Sequence, residues 1–102
     1  MEIKTEEPSL CIERAFESIT EEEIESVFMK VKIGTIKEII KIPKVNYKGE
    51  PYNTFIIHFE EWNKHERIQK IREQFMLGYD FKLMYEAPKS TRFWKVSISK
   101  LY

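Results

Sequence analysis

The chain has a single cysteine, Cys11, so no disulfide can form within it, and nothing points to an oxidising compartment. It has only three glycines, too few to build a phosphate-cradling loop with ease, and no such motif occurs. No apolar run approaches the roughly 18 residues that read as a membrane span, and the charged N-terminus has no signal-peptide stretch. These absences lead us to expect an intracellular protein with no membrane contact. Net charge is also absent: 17 basic residues balance 17 acidic ones. A typical nucleic-acid domain is basic, so the balance counts against that class.

The charges that are present are unevenly placed. Residues 1–29 hold 9 acidic and 2 basic side chains, net −7, and the remainder of the chain is net +7. Such asymmetry permits a positive face beside a negative one, or simply two differently solvated helices. At 102 residues the chain is one domain with enough length for a core. Residues 1–8 read as a flexible leader bounded by Pro8, and residues 9–102 as the domain.

Residues 9–16 read as a strand, with Leu10 and Ile12 on one face and Cys11 and Glu13 on the other. Thr20 and Glu23 form a capping-box pattern, and Ile19 and Ile24 stand at the positions of a hydrophobic staple. Ile24, Val27, Phe28 and Val31 then recur at helical spacing, and Glu21–Glu23 suit the positive end of the helix dipole. Gly34 is expected to close this helix. Residues 35–42 read as a strand rich in isoleucine, with a bulge or burial on both faces at Ile39 and Ile40. A long connection from Pro43 to Pro51 leads to a second strand over 52–59, making an antiparallel hairpin. There Phe55, Ile57 and Phe59 alternate with Thr54, Ile56 and His58.

Asn63 and Glu66 predict the start of a second helix, carrying Ile68, Ile71 and Phe75 inward and ending at Gly78. Its outward face carries Lys64, Arg67, Lys70 and Arg72. Residues 80–86 and 92–100 read as strands joined by a turn at Pro88–Thr91. The order predicts an α+β fold of the ferredoxin-like β-α-β-β-α-β type, an antiparallel sheet with two helices on one face and an extra strand before the last.

Leu10-Cys11-Ile12-Glu13-Arg14, the run from Ile19 to Ile24 and Ile33-Gly34-Thr35-Ile36 resemble an RNA recognition motif. Residues 52–59 fall where that family's octapeptide lies. Phe55–Trp62 and Phe93–Ser97 are also similar to divergent proteins of this type encoded by large DNA viruses. The resemblance implies a sheet that binds single-stranded RNA through stacking aromatics. The matching positions depart from that pattern: Cys11, Thr54 and Ile56 stand where the stackers belong. Each stack is worth about 1–3 kcal/mol, so an ordinary platform is missing.

Tyr52 and Phe93 are the expected replacement stackers, alongside Thr54, Ile56, His58 and Lys95. Lys41, Lys44, Lys48, Lys89 and Arg92 are expected to rim the sheet with positive charge. The alternative is a protein-interaction module or homodimer, in which Cys11, Ile40, Ile56 and Phe93 form an exposed apolar patch. His58 and His65 lack acidic or cysteine company at metal-ligand spacing. Trp62 and Trp94 suit the core. With no nucleophile–base motif, the expectation is a non-enzymatic protein without cofactor, metal or small-molecule substrate.

Overall fold

A computed structural model describes residues 4–84 and 93–99. Seven elements follow in the order β1 (Leu10–Phe16), α1 (Glu21–Val31), β2 (Gly34–Val45), β3 (Pro51–Trp62), α2 (Glu66–Met76), β4 (Phe81–Met84) and β5 (Phe93–Ile98). The strands form one antiparallel sheet in the order β2-β3-β1-β5-β4. This is the ferredoxin-like topology, with β4 added as an outer strand beside β5. The turn expected at Pro88–Thr91, with Lys89 and Arg92, lies outside the described residues.

The core forms on the helix side of the sheet. Leu10, Ile12, Phe55, Ile57, Phe59, Trp94 and Val96 pack with Ile24 and Phe28 of α1 and Ile68 and Phe75 of α2. The aromatic residues are linked in series: Phe28 to Phe59 at 6.3 Å, Phe59 to Trp62 at 4.9 Å, Trp62 to Phe75 at 6.2 Å and Phe75 to Phe81 at 4.7 Å between ring centroids. Tilted and edge-on contacts of this kind add to simple area burial. They join α1, β3, α2 and β4 through one run of rings.

The first helix starts as expected: the Thr20 hydroxyl accepts from the Glu23 N–H at 3.2 Å. Its end differs. Lys32, not Gly34, takes the left-handed cap at φ 55°, and its N–H donates to the Met29 carbonyl. Gly34 is needed for another reason: a Cβ there would lie 2.5 Å from the Glu61 carbonyl oxygen and 2.9 Å from the Trp62 Cα. The glycine lets β2 meet the end of β3 at close range.

The irregularity of β2 falls between Thr35 and Glu38 rather than at Ile39 and Ile40, which stay in register and are half-buried on opposite faces. The β2–β3 connection is also shorter than expected. Pro43, Lys44 and Val45 continue the ladder opposite Asn53, Tyr52 and Pro51, leaving a tight turn centred on Tyr47, Lys48 and Gly49. The second helix is capped by His65, whose ring accepts from the Arg67 N–H at 3.2 Å. Asn63 is engaged earlier: its side chain donates to the Lys32 carbonyl and accepts from the His65 N–H, so the helix begins after it.

Residues 4–8 run against the end of β3 and the side of α2. The Trp62 indole donates to the Pro8 carbonyl at 3.0 Å, the Trp62 N–H donates to Thr5, and Arg72 donates to the carbonyls of Lys4 and Glu7. Arg72 also lies over the Trp62 ring at 5.9 Å from its centroid. The tryptophan is thus both a core side chain and the anchor for this segment.

Candidate functional site

The sheet face away from the helices is read off the strand register. On β3 it carries Tyr52, Thr54, Ile56 and His58, opposite Lys44, Ile42, Ile40 and Glu38 of β2. Cys11 of β1 stands on the other side of Ile56 and opposite Ser97 of β5. Lys95 and Phe93 continue the row along β5, opposite Lys82 and Met84 of β4.

Two central side chains of this face are closed, beside a cleft of about 570 Å³ that Cys11, Lys44, Tyr52, Lys95 and Ser97 help to line. Ile56 is fully buried and Thr54 is 4% exposed, so neither offers a contact surface to RNA or to a partner. Ile56 is flanked by Ile40 and Cys11 across both ladders, which shields a central-strand side chain even on the face without helices. Thr54 is held by structure: its hydroxyl donates to the Glu13 carbonyl at 2.8 Å. The β1–β3 ladder slips between Ile12 and Ala15, setting Glu13 and Arg14 against the single residue Thr54. The threonine hydroxyl satisfies a carbonyl in that irregular stretch of the ladder.

Lys41 is also displaced from the expected surface. It pairs with Phe55, a core residue, so it projects from the helix side of the sheet. Lys95 is on the open face but forms an ion pair with Asp80 at 3.3 Å. Lys44 lies opposite Tyr52 as expected. Lys48 is exposed in the turn. His58 is half-buried near the other end of β3, hydrogen-bonded through Nδ1 to the Ser9 hydroxyl. Cys11 is half-buried; burial pushes its thiol above the usual value and Glu13 adds to this, while Lys44 acts in the opposite direction.

The exposed aromatic surface lies at one end of the sheet instead. Phe16, the last residue of β1, pairs with Tyr52, near the start of β3, and is 58% exposed. Phe93, the first residue of β5, is 42% exposed. Arg14 stands over the Tyr52 ring at 5.4 Å and Lys82 over the Phe93 ring at 4.8 Å. Arg14, Phe16, Tyr52 and Phe93 line a common cleft of about 370 Å³. Tyr52 and Phe93 were legible from the sequence; Phe16, Arg14 and Lys82 were not singled out. With strict alternation Phe16 would share the core face of Leu10 and Ile12. The bulge reverses the parity, turning Ala15 inward and Phe16 outward. A charged Arg14 at a nominally inward position is the sequence signal for that reversal.

Among the described residues no group of three or more His, Cys, Asp or Glu side chains is arranged to hold a metal ion, and no helix is long and apolar enough to cross a membrane. No protein-family model, curated protein or solved structure matches the chain.

Proposed function

We propose that this protein binds single-stranded RNA, without catalysis, through the aromatic corner formed by Phe16, Tyr52 and Phe93. In this reading it is a divergent RNA-recognition-motif-like domain whose stacking surface has moved from the middle of the sheet to the strand ends. The observation that carries the proposal is the grouping of these three rings in one cleft with Arg14 and Lys82 placed over two of them. Unpaired bases stack on aromatic faces whatever their identity, and nearby cations attract the phosphates between them. Lys44 adds a further positive charge opposite Tyr52. The corner uses few cations, so a protein with no net charge can form it.

The test is fluorescence anisotropy with a labelled single-stranded RNA pool across a salt series. Binding that weakens as salt rises supports the proposal, since phosphate contacts release counterions. Absence of binding at low salt rejects it.

A second reading rests on the same corner. Phe16, Met84 and Phe93 are exposed apolar residues, and Met84 pairs directly with Phe93. A patch of this kind also suits a protein partner or a second copy of the chain. A mass that rises with concentration, lost on Phe93→Ala, would favour this reading over RNA binding.

A further inference from the structure

We propose that the tip of the β2–β3 turn, Tyr47 with Lys48, is a second contact element that holds an additional unpaired nucleotide beside the aromatic corner. The inference rests on the RNA-binding reading and extends it to residues outside the cleft.

Three observations carry it. First, Tyr47 is 93% exposed, and Lys48 lies 5.8 Å from the centroid of its ring. The aromatic–cation pairing of Tyr52 with Arg14 and of Phe93 with Lys82 therefore occurs a third time at this end of the molecule. Second, the turn is joined to the corner. Asn46 and Glu50, the two residues that close it, line the same cleft as Phe16, Tyr52 and Phe93.

Third, the turn is held firmly. The Asn46 side-chain oxygen accepts from the N–H groups of Lys48 at 2.9 Å and Glu50 at 3.0 Å. The Asn46 N–H donates to the Glu50 carbonyl at 3.0 Å, and the Gly49 N–H donates to the Asn46 carbonyl at 2.9 Å. Gly49 takes φ 82°, which completes a three-residue hairpin loop of the kind that ends in a left-handed glycine. A ring presented on a rigid turn loses little freedom when a base stacks on it, so more of the stacking energy appears as affinity. The Asn46 amide also donates to the Glu50 carboxylate at 3.2 Å, giving the one acid of the turn a partner inside it.

The chemistry defines the ligand. Stacking needs an exposed base, and a lysine beside the ring needs a phosphate, so the site takes single-stranded and not duplex nucleic acid. Contacts that run from the turn to β5 require a strand long enough to reach both.

The experiment compares wild type, Tyr47→Ala, Tyr47→Phe and Phe93→Ala by anisotropy against labelled oligouridine RNA, from a dinucleotide to about eight nucleotides. Wild-type affinity should rise with length. Tyr47→Ala should weaken binding of the longest RNA by roughly tenfold and leave the dinucleotide unchanged, with Tyr47→Phe close to wild type. Phe93→Ala should weaken both lengths. If Tyr47→Ala binds the longest RNA as wild type does while Phe93→Ala is impaired, the turn has no such role although the corner binds RNA. If wild type binds no RNA of any length, the functional reading and this extension fall together.

Discussion

Phe16 and Tyr52 face each other across the β1–β3 ladder, and they do so only because the ladder slips at Glu13 and Arg14. The slip changes which residues of β1 look outward. It turns an aromatic side chain from the core to the cleft and sets an arginine over the neighbouring ring. The position of the candidate site is therefore a consequence of one bulge.

Phe16→Ala and Phe93→Ala are each expected to reduce single-stranded RNA affinity by about 1–3 kcal/mol. Because both rings line one cleft, the double variant should lose less or more than the sum, with a coupling of at least about 0.5 kcal/mol. Anisotropy titrations of the four proteins provide the cycle. Strict additivity would show that the two rings act on separate sites.

Thr54→Val keeps the shape of the side chain and removes the hydroxyl that reaches the Glu13 carbonyl. It should destabilise the protein by about 1 kcal/mol, the net worth of a typical hydrogen bond, because Glu13 is exposed and its bond to Thr54 is only partly buried. Urea denaturation would show a lower midpoint with an unchanged slope. A stability equal to wild type would mean that the Glu13 carbonyl is satisfied by water.

Two substitutions at the α1–β2 junction should act in opposite directions. Gly34→Ala drives a methyl group into the backbone at Glu61 and Trp62 and should cost about 1–3 kcal/mol. Lys32→Gly relieves a left-handed conformation in a residue with a Cβ and should stabilise by up to about 1 kcal/mol. Thermal melts of the two variants against wild type check the signs.

Cys11 makes stability depend on pH in the alkaline range. Burial, helped by Glu13, raises the thiol above 9.0, so the folded state holds the proton more tightly than the unfolded chain. Its contribution is fully present below the unfolded value and is lost as pH rises through the higher folded value. Denaturation midpoints measured from about pH 8 to about pH 10.5 should fall more steeply for wild type than for Cys11→Ala. Parallel slopes would rule out the thiol as a source of the loss.

Much of the fold was legible in the sequence because local signals and tertiary packing agree. The Thr20 cap, the stripe of Ile24 and Phe28 and the alternation of Phe55, Ile57 and Phe59 all report burial on one side, and all three lie where they were expected. The site was less legible because alternation assigns a face but not a depth. Ile56 has the parity of an open-face residue, yet its place on a central strand buries it. Lys41 was misplaced because two adjacent isoleucines, Ile39 and Ile40, do not say which of them faces the core; the register pairs Ile39 with Ile57, and Lys41 lies on the same side. Asn63 has the chemistry of a helix cap, but a distant carbonyl at Lys32 uses its amide. In each case a contact far away in sequence decides what a local pattern leaves open.

Pro43 has a consequence for how copies of this protein meet. It sits within β2, which borders the sheet and, among the described residues, pairs on one side only, with β3. A proline nitrogen has no hydrogen to donate, and the irregular stretch from Thr35 to Glu38 breaks the outer edge toward its other end. Between them only a few residues could template another strand, and Lys41 is one of those. At this edge a second copy finds a poor template for strand pairing, which lets the protein carry a long, isoleucine-rich border strand with less risk of edge-to-edge association.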